Sequence, residues 1–172
     1  MEAVEIVAQM MEISAITAPK TKGENFIQVK TIKGEQLESL AKAMIAFGER
    51  KNKRNFDRDA RNIRQSEAVV LIGIKDTQTA GLNCGACGYS TCAELEAAPK
   101  FEDEFRGPTC AYRILDMGIA LGSAVKTASL FNVDNRIMYR IGAVARDLGL
   151  VDWDFVMGIP LSVSGKNIYF DR

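Results

Sequence analysis

Three of the four cysteines in this chain, Cys84, Cys87 and Cys92, lie in the stretch NCGACGYSTCAEL (Asn83 to Leu95) at C-x2-C-x4-C spacing, and Cys110 follows after a gap of seventeen residues. Four thiolates are what a cubane iron-sulfur cluster or a tetrahedral zinc ion requires. Gly85 and Gly88, next to the first two cysteines, supply backbone that folds tightly around an anionic inorganic core.

The rest of the composition narrows what such a site could do. The chain has no histidine, which removes Ser-His and Cys-His nucleophile pairs, His-ligated metals and the side chain that titrates nearest neutrality. Proton transfer would fall to a perturbed Glu, Asp, Lys, Tyr or Cys, or to a cofactor with its own chemistry, so the function points toward redox. Basic and acidic residues number 22 each, leaving no net field to attract a nucleic acid or an anionic membrane surface. No apolar run reaches the ~18 residues that a membrane span requires, and the opening MEAVEIVAQMMEIS is acidic where a signal peptide is basic. A cytoplasmic location is therefore expected. In a reducing compartment cysteines at these spacings read as metal ligands before disulfides.

At 172 residues and 47% apolar, the chain is expected to form one domain, residues 1–172, with residues 76–112 as an inserted cluster-binding segment. Helical periodicity from Val4 to Thr17 predicts a largely buried first helix, stopped by Pro19 and Gly23 and followed by the strand FIQVKTI. A second helix is expected from Glu35 to Lys51, on the stripe Leu37, Leu40, Ala41, Met44, Ile45 and Phe47. The basic-rich segment from Glu49 to Arg64 reads as a solvated helix face ahead of a docking patch for an acidic electron donor. AVVLIGI, Ala68 to Ile74, is continuously apolar and β-branched, a strand buried on both faces that leads into the cysteine loop. Beyond Cys92 the acids Glu94, Glu96, Glu102, Asp103 and Glu104 would disfavour a reduced, more anionic cluster and lower its potential. A helix rich in small residues is expected from Thr109 to Phe131, central or at a dimer interface, then one from Asn135 to Leu148 closed by Gly149, and last the strand FVMGIPLSV and an aromatic-anchored tail.

Two resemblances add to this reading. The segment CGACGYSTC with the distant Cys110 resembles the iron-sulfur domain of electron-transfer subunits of the Rnf complex and of corrinoid iron-sulfur proteins. That likeness implies a 4Fe-4S cluster on Cys84, Cys87, Cys92 and Cys110, ahead of structural zinc or free thiols. The stretches APKTKGEN, AVVLIGIK, DMGIALGSAVKTAS, NVDNRIMYRIGAVARDLGL and GIPLSVSGKNIYFDR resemble an uncharacterised prokaryotic family of ferredoxin-domain-containing proteins, itself similar to the nitroreductases. The implied fold is α+β, a nitroreductase-like sheet wrapped by helices and paired as a homodimer. Nitroreductases carry FMN, and Ala18, Pro19 and Asn25 resemble their turn near the flavin; Lys20, Lys22 and Lys166, with Gly165, would be the residues to meet its phosphate. The upstream Arg-Ser-x-Arg phosphate motif has no counterpart here, so the expectation is a cluster without stoichiometric flavin. The reading is thus a 4Fe-4S protein that passes single electrons in anaerobic metabolism to an unassigned redox partner. An FMN-dependent reductase fed by the cluster and a protein with a purely structural metal are the alternatives.

Overall fold

The seven residues of β2 (Ala68–Ile74) are all buried, which a continuous β-branched run can satisfy only where helices cover both sides of a sheet. The computed structural model, which describes residues 1–170, shows this arrangement. β2 lies between β1 (Ile27–Lys33) and β6 (Phe155–Ser162), antiparallel to each, and the short β5 (Asp134–Asn135) pairs with the outer side of β6, giving the order β1-β2-β6-β5.

Because successive side chains of a strand point to opposite faces, β2 feeds two cores. Ala68, Val70, Ile72 and Ile74 pack with α1 (Glu2–Thr17) and α5 (Ala111–Leu130). Val69 and Leu71 pack with α2 (Glu35–Arg50), α3 (Phe56–Arg64) and α6 (Tyr139–Asp147). Each fully buried aliphatic side chain in these layers contributes about 1.5–3 kcal/mol. The layering leaves the segment from residue 75 to Cys110 outside the main sheet, with α4 (Cys92–Ala97) and a small hairpin of β3 (Phe101–Glu102) and β4 (Arg106–Gly107).

Three sequence expectations are corrected by the fold. The first helix is not largely buried: Val4, Val7, Ala8, Met11 and Ala15 face the core, whereas Ile6, Met10, Ile13 and Ile16 form an exposed second stripe. The helix expected from Asn135 begins at Tyr139, because Asp134 and Asn135 pair with Ser162 and Leu161, and Met138 exchanges two backbone hydrogen bonds with Gly158 (2.8 and 3.1 Å). The acidic run after Cys92 is not a free negative field. Glu102 pairs with Arg146 (2.7 Å), Asp103 with Lys51 (2.5 Å) and Glu104 with Lys53 (2.5 Å). The bond from Lys51 holds the Asp103 carboxyl below its usual range, and the bond to Glu104 raises the Lys53 ammonium. Arg50, Arg61 and Arg64 likewise meet Asp147, Asp57 and Glu38, so the basic segment is internally compensated. The tail is anchored as expected: Tyr169 is buried against Ser66 (Oη to Oγ 2.8 Å), and burial pushes its phenol up to about 12. Asp171 and Arg172 lie outside the described residues.

α6 can lie on β6 only because Gly142 has no side chain. A Cβ there would sit 1.8 Å from the carbonyl oxygen of Val156, in the middle of the sheet. Gly142→Ala should therefore push helix and strand apart and cost about 3 kcal/mol, despite the better helix propensity of alanine. A urea titration checks this, since an unchanged midpoint would mean that the contact yields.

Candidate metal centre

The four cysteines, sent into space from two separate segments, line one depression together with Leu82, Asn83, Tyr89, Thr91 and Tyr112. Local backbone rules explain how. Cys84 and Cys87 sit on a turn closed by the Gly88 N–H to the Gly85 carbonyl (3.0 Å), and Gly85 and Gly88 take φ of 71° and 87°, values that side chains resist. Cys92 opens α4 under a capping box, in which Thr91 Oγ1 accepts from the Glu94 N–H (3.2 Å) and Glu94 reaches back to Thr91 N–H (3.4 Å). Cys110 is the residue before α5, a helix of 20 residues, and its carbonyl accepts from Arg113 and Ile114 N–H (3.0 and 3.2 Å). A thiolate there meets the positive end of the helix dipole.

Asn83 ties the segment together. Held at φ 46°, it accepts the Cys92 N–H on Oδ1 (2.8 Å) and donates its own N–H to Cys92 Sγ (3.4 Å). That bond, against the opposing effect of burial and helped by Thr79, Gly81 and Leu82, holds the Cys92 thiol below its usual range, in the direction of the thiolate that binds metal. Beneath the loop, Ala80, Leu95 and Cys110 form a small apolar cluster flanked by Cys87, Tyr89 and Tyr112. Exposure is graded, from buried Cys110 through Cys87 and Cys92 to exposed Cys84.

The donor set fits a soft polynuclear metal centre: four sulfurs, amide N–H groups facing one of them, and an apolar floor. Among the described residues no three Cys, Asp or Glu side chains converge as a single ion would hold them. Around one zinc the sulfurs would stand about 3.8 Å apart. The space between the thiols is about 10 Å³, room for one water.

The flavin-side lysines are placed differently from one another. Lys20 Nζ donates to the carbonyls of Ala15, Ile16 and Ala18 (3.0, 2.5 and 2.6 Å) and so caps the C-terminus of α1; burial lowers its pKa, with Asp116 opposing. Lys22, at φ 58°, lays its ammonium 3.3 Å from where a Cβ would stand on Gly81, in the cysteine loop. Lys166 belongs to a tail turn in which Ser164 Oγ donates to its carbonyl (2.6 Å).

Two residues that the sequence reading passed over prove central. Arg113 is 1% exposed and Asp116 is 4% exposed, in the first two turns of α5 after Cys110. The signal available was their position: both fall on the stripe of α5 that continues through Met117, Ala120, Leu121, Ala124 and Ala128, where a charge needs a partner.

The chain is 49% identical over 171 residues to an uncharacterised protein of Archaeoglobus fulgidus, covering 99% of this chain and 92% of that one. Residues 106–172 match a family described as uncharacterised protein containing a ferredoxin domain, a match that includes Cys110 and α5 but not the other three cysteines. Among solved structures it is similar to the FMN-dependent nitroreductase NfnB of Mycobacterium smegmatis, at TM-score 0.63 and 12% identity over 94% of this chain and 78% of that one. A nitroreductase with bound FMN from Desulfitobacterium hafniense matches at TM-score 0.59 and 11% identity, over 93% and 78%. At these identities the likeness is one of fold: an α+β, nitroreductase-like sheet wrapped by helices.

Proposed function

We propose that this chain, which belongs to one family with the archaeal protein and over residues 106–172 matches the family described as containing a ferredoxin domain, is a 4Fe-4S protein that transfers single electrons. The observation that carries the reading is the meeting of all four cysteines, from two segments, around one depression with an apolar floor. Cys84, Cys87, Cys92 and Cys110 would hold the cluster, and residues 76–112 form the cluster-binding segment of a nitroreductase-like body spanning 1–172. When bound, the cluster supplies one-electron chemistry at sulfur-ligated iron. The chain does the rest. Asn83 N–H draws charge from Cys92, the first turn of α5 stabilises Cys110, and Tyr89 and Tyr112 wall the buried side from water. Cys84 and Leu82, both exposed, form the edge at which a redox partner would approach. Among the described residues no helix is long and apolar enough to cross a membrane; the location we propose is the cytoplasm. The assembly we propose is a homodimer.

A second reading, a reductase in which the cluster feeds bound FMN, draws on the fold alone. It ranks behind because Lys20, a first candidate for the phosphate, is committed to the carbonyls of α1 and a doubly charged phosphate needs firm partners. Anaerobic purification decides between them. Iron and acid-labile sulfide should each be present at about four per chain, with cluster absorption and no stoichiometric flavin. Zinc at one per chain without sulfide would overturn the cluster, and release of one FMN per chain by heat would put the reductase first.

A further inference from the structure

We propose that Arg113 and Asp116 form a buried clamp that positions the thiolate loop by fastening it to the turn between α1 and β1. The inference rests on the cluster reading for its purpose but on separate observations for its geometry. Arg113 spends its guanidinium in three directions. Nε donates to the Gln78 carbonyl (2.9 Å), Nη1 to the Thr21 carbonyl (3.1 Å) and Asp116 Oδ2 (3.4 Å), and Nη2 to Glu24. The plane lies over the Phe26 ring, 4.6 Å from its centroid. Asp116 takes the other half of the turn: its Oδ1 accepts both the Thr21 N–H and the Thr21 hydroxyl, each at 2.8 Å.

The arrangement exceeds what a fold needs to neutralise a buried pair. Desolvating a guanidinium and a carboxylate is costly, and an apolar pair of similar volume would stabilise α5 as well or better. What the charges add is direction. A planar fork reaches two carbonyls on two different loops while its own position is set by α5, the helix capped by Cys110. The Gln78 carbonyl lies on the connection from β2 to the first cysteines. That connection is otherwise tied by Asp76 N–H to Asp154 (2.8 Å) and Thr79 to Glu96 (2.6 Å). One side chain thus sets the distance between the segment bearing Cys84, Cys87 and Cys92 and the helix bearing Cys110. The same clamp fixes Thr21, after which Lys22 takes its left-handed conformation and presents its ammonium beside Gly81.

Two variants test the clamp. Arg113→Lys keeps the charge but cannot span the Gln78 and Thr21 carbonyls together. Arg113→Met with Asp116→Asn leaves no unpaired buried charge, so it folds even where a single loss would not. In both, amide hydrogen exchange in the metal-free protein should quicken at least tenfold across residues 77–83 and 20–24, while β2 keeps wild-type protection. In reconstituted protein, iron should pass to a chelator at least tenfold faster, and the midpoint potential of the remaining cluster should shift. Wild-type exchange across 77–83 and wild-type iron release in both variants would overturn the proposal. Equal loosening of β2 would also overturn it, since that is the mark of a general fold staple. If the wild-type chain takes up no iron and sulfide, the cluster reading fails, and the exchange data alone still decide the clamp.

Discussion

Cys110→Ser should strip the chain of its cluster, with iron and sulfide falling from about four per chain to below one, because a cubane has four corners and the chain has no histidine to replace a thiolate. The loss should occur without harm to the metal-free fold. Cys110 occupies the N-cap position of α5 and makes no side-chain cap bond, whereas serine is among the preferred N-cap residues, so the replacement could add up to about 1 kcal/mol of helix stability. Iron and sulfide content reports the ligand role, and the metal-free melt reports separately whether the cap gain outweighs a hydroxyl buried beside Ala80 and Leu95. A buried cysteine that matters only for packing, in the small cluster with Ala80 and Leu95, would lower the melting temperature of the metal-free protein when exchanged for a polar hydroxyl. Iron analysis and a thermal melt of the metal-free protein, run side by side, distinguish them. A Cys110→Ser protein that holds a full and stable cluster removes Cys110 from the ligand set. Cys84→Ser is the informative companion, since that thiol is exposed and solvent can take its place at iron.

The parts of this architecture that were legible beforehand are those fixed by local pattern. β2 was readable because seven successive apolar residues are too few for a helix of ordinary length and too continuous for a half-exposed strand. α2 was readable from its stripe, and Gly34 at its entry takes φ 59°. The cysteines declared themselves by spacing. What escaped depends on partners remote in sequence. Nothing in Glu102 or Asp103 names Arg146 or Lys51, some fifty residues away, so the pairing of these acids could not be read from the sequence. Asp134 and Asn135 were drawn into a helix because nothing short-range in them signals the edge of β6. Arg113 and Asp116 were hidden for a related reason: i,i+3 opposite charges on a helix are ordinary on a surface, and only the position of the stripe tells that this pair faces inward. In α1 the failure was of another kind. Apolar residues on two faces satisfy the pattern of a buried helix, and periodicity cannot tell a core from an interface.

That second face of α1 meets a matching one on α5, and together they lead to the expectation that the chain is a dimer, with Gly118→Arg separating its subunits. Ile6, Met10, Ile13 and Ile16 are exposed along α1, with Phe131 beside Ile6 and Met10, and Ile114, Leu115 and Ile119 are exposed toward the start of α5, the two helices being joined by the Ser14 and Thr127 hydroxyls (2.6 Å). Exposed apolar surface of this extent marks an interaction site more often than a solvated one. Gly118 and Gly122 sit one turn apart on the same side of α5, and a Cβ at either would meet nothing within 4 Å. Glycine in the middle of an exposed helix costs about 1 kcal/mol relative to better helix formers, so two of them facing open space are unexplained by the monomer. A second helix laid across them, where small residues allow close approach, explains both. The sign of one substitution then decides. On a free surface, Gly118→Arg removes a poor helix former and should raise stability by roughly 0.5–1 kcal/mol without changing the mass in solution. On a dimer face, the arginine occupies the space of the partner helix; the wild-type protein should scatter light as twice 18.9 kDa, the variant as 18.9 kDa, and the variant should melt earlier. A monomeric wild-type chain stabilised by the arginine would leave the apolar face to some other partner.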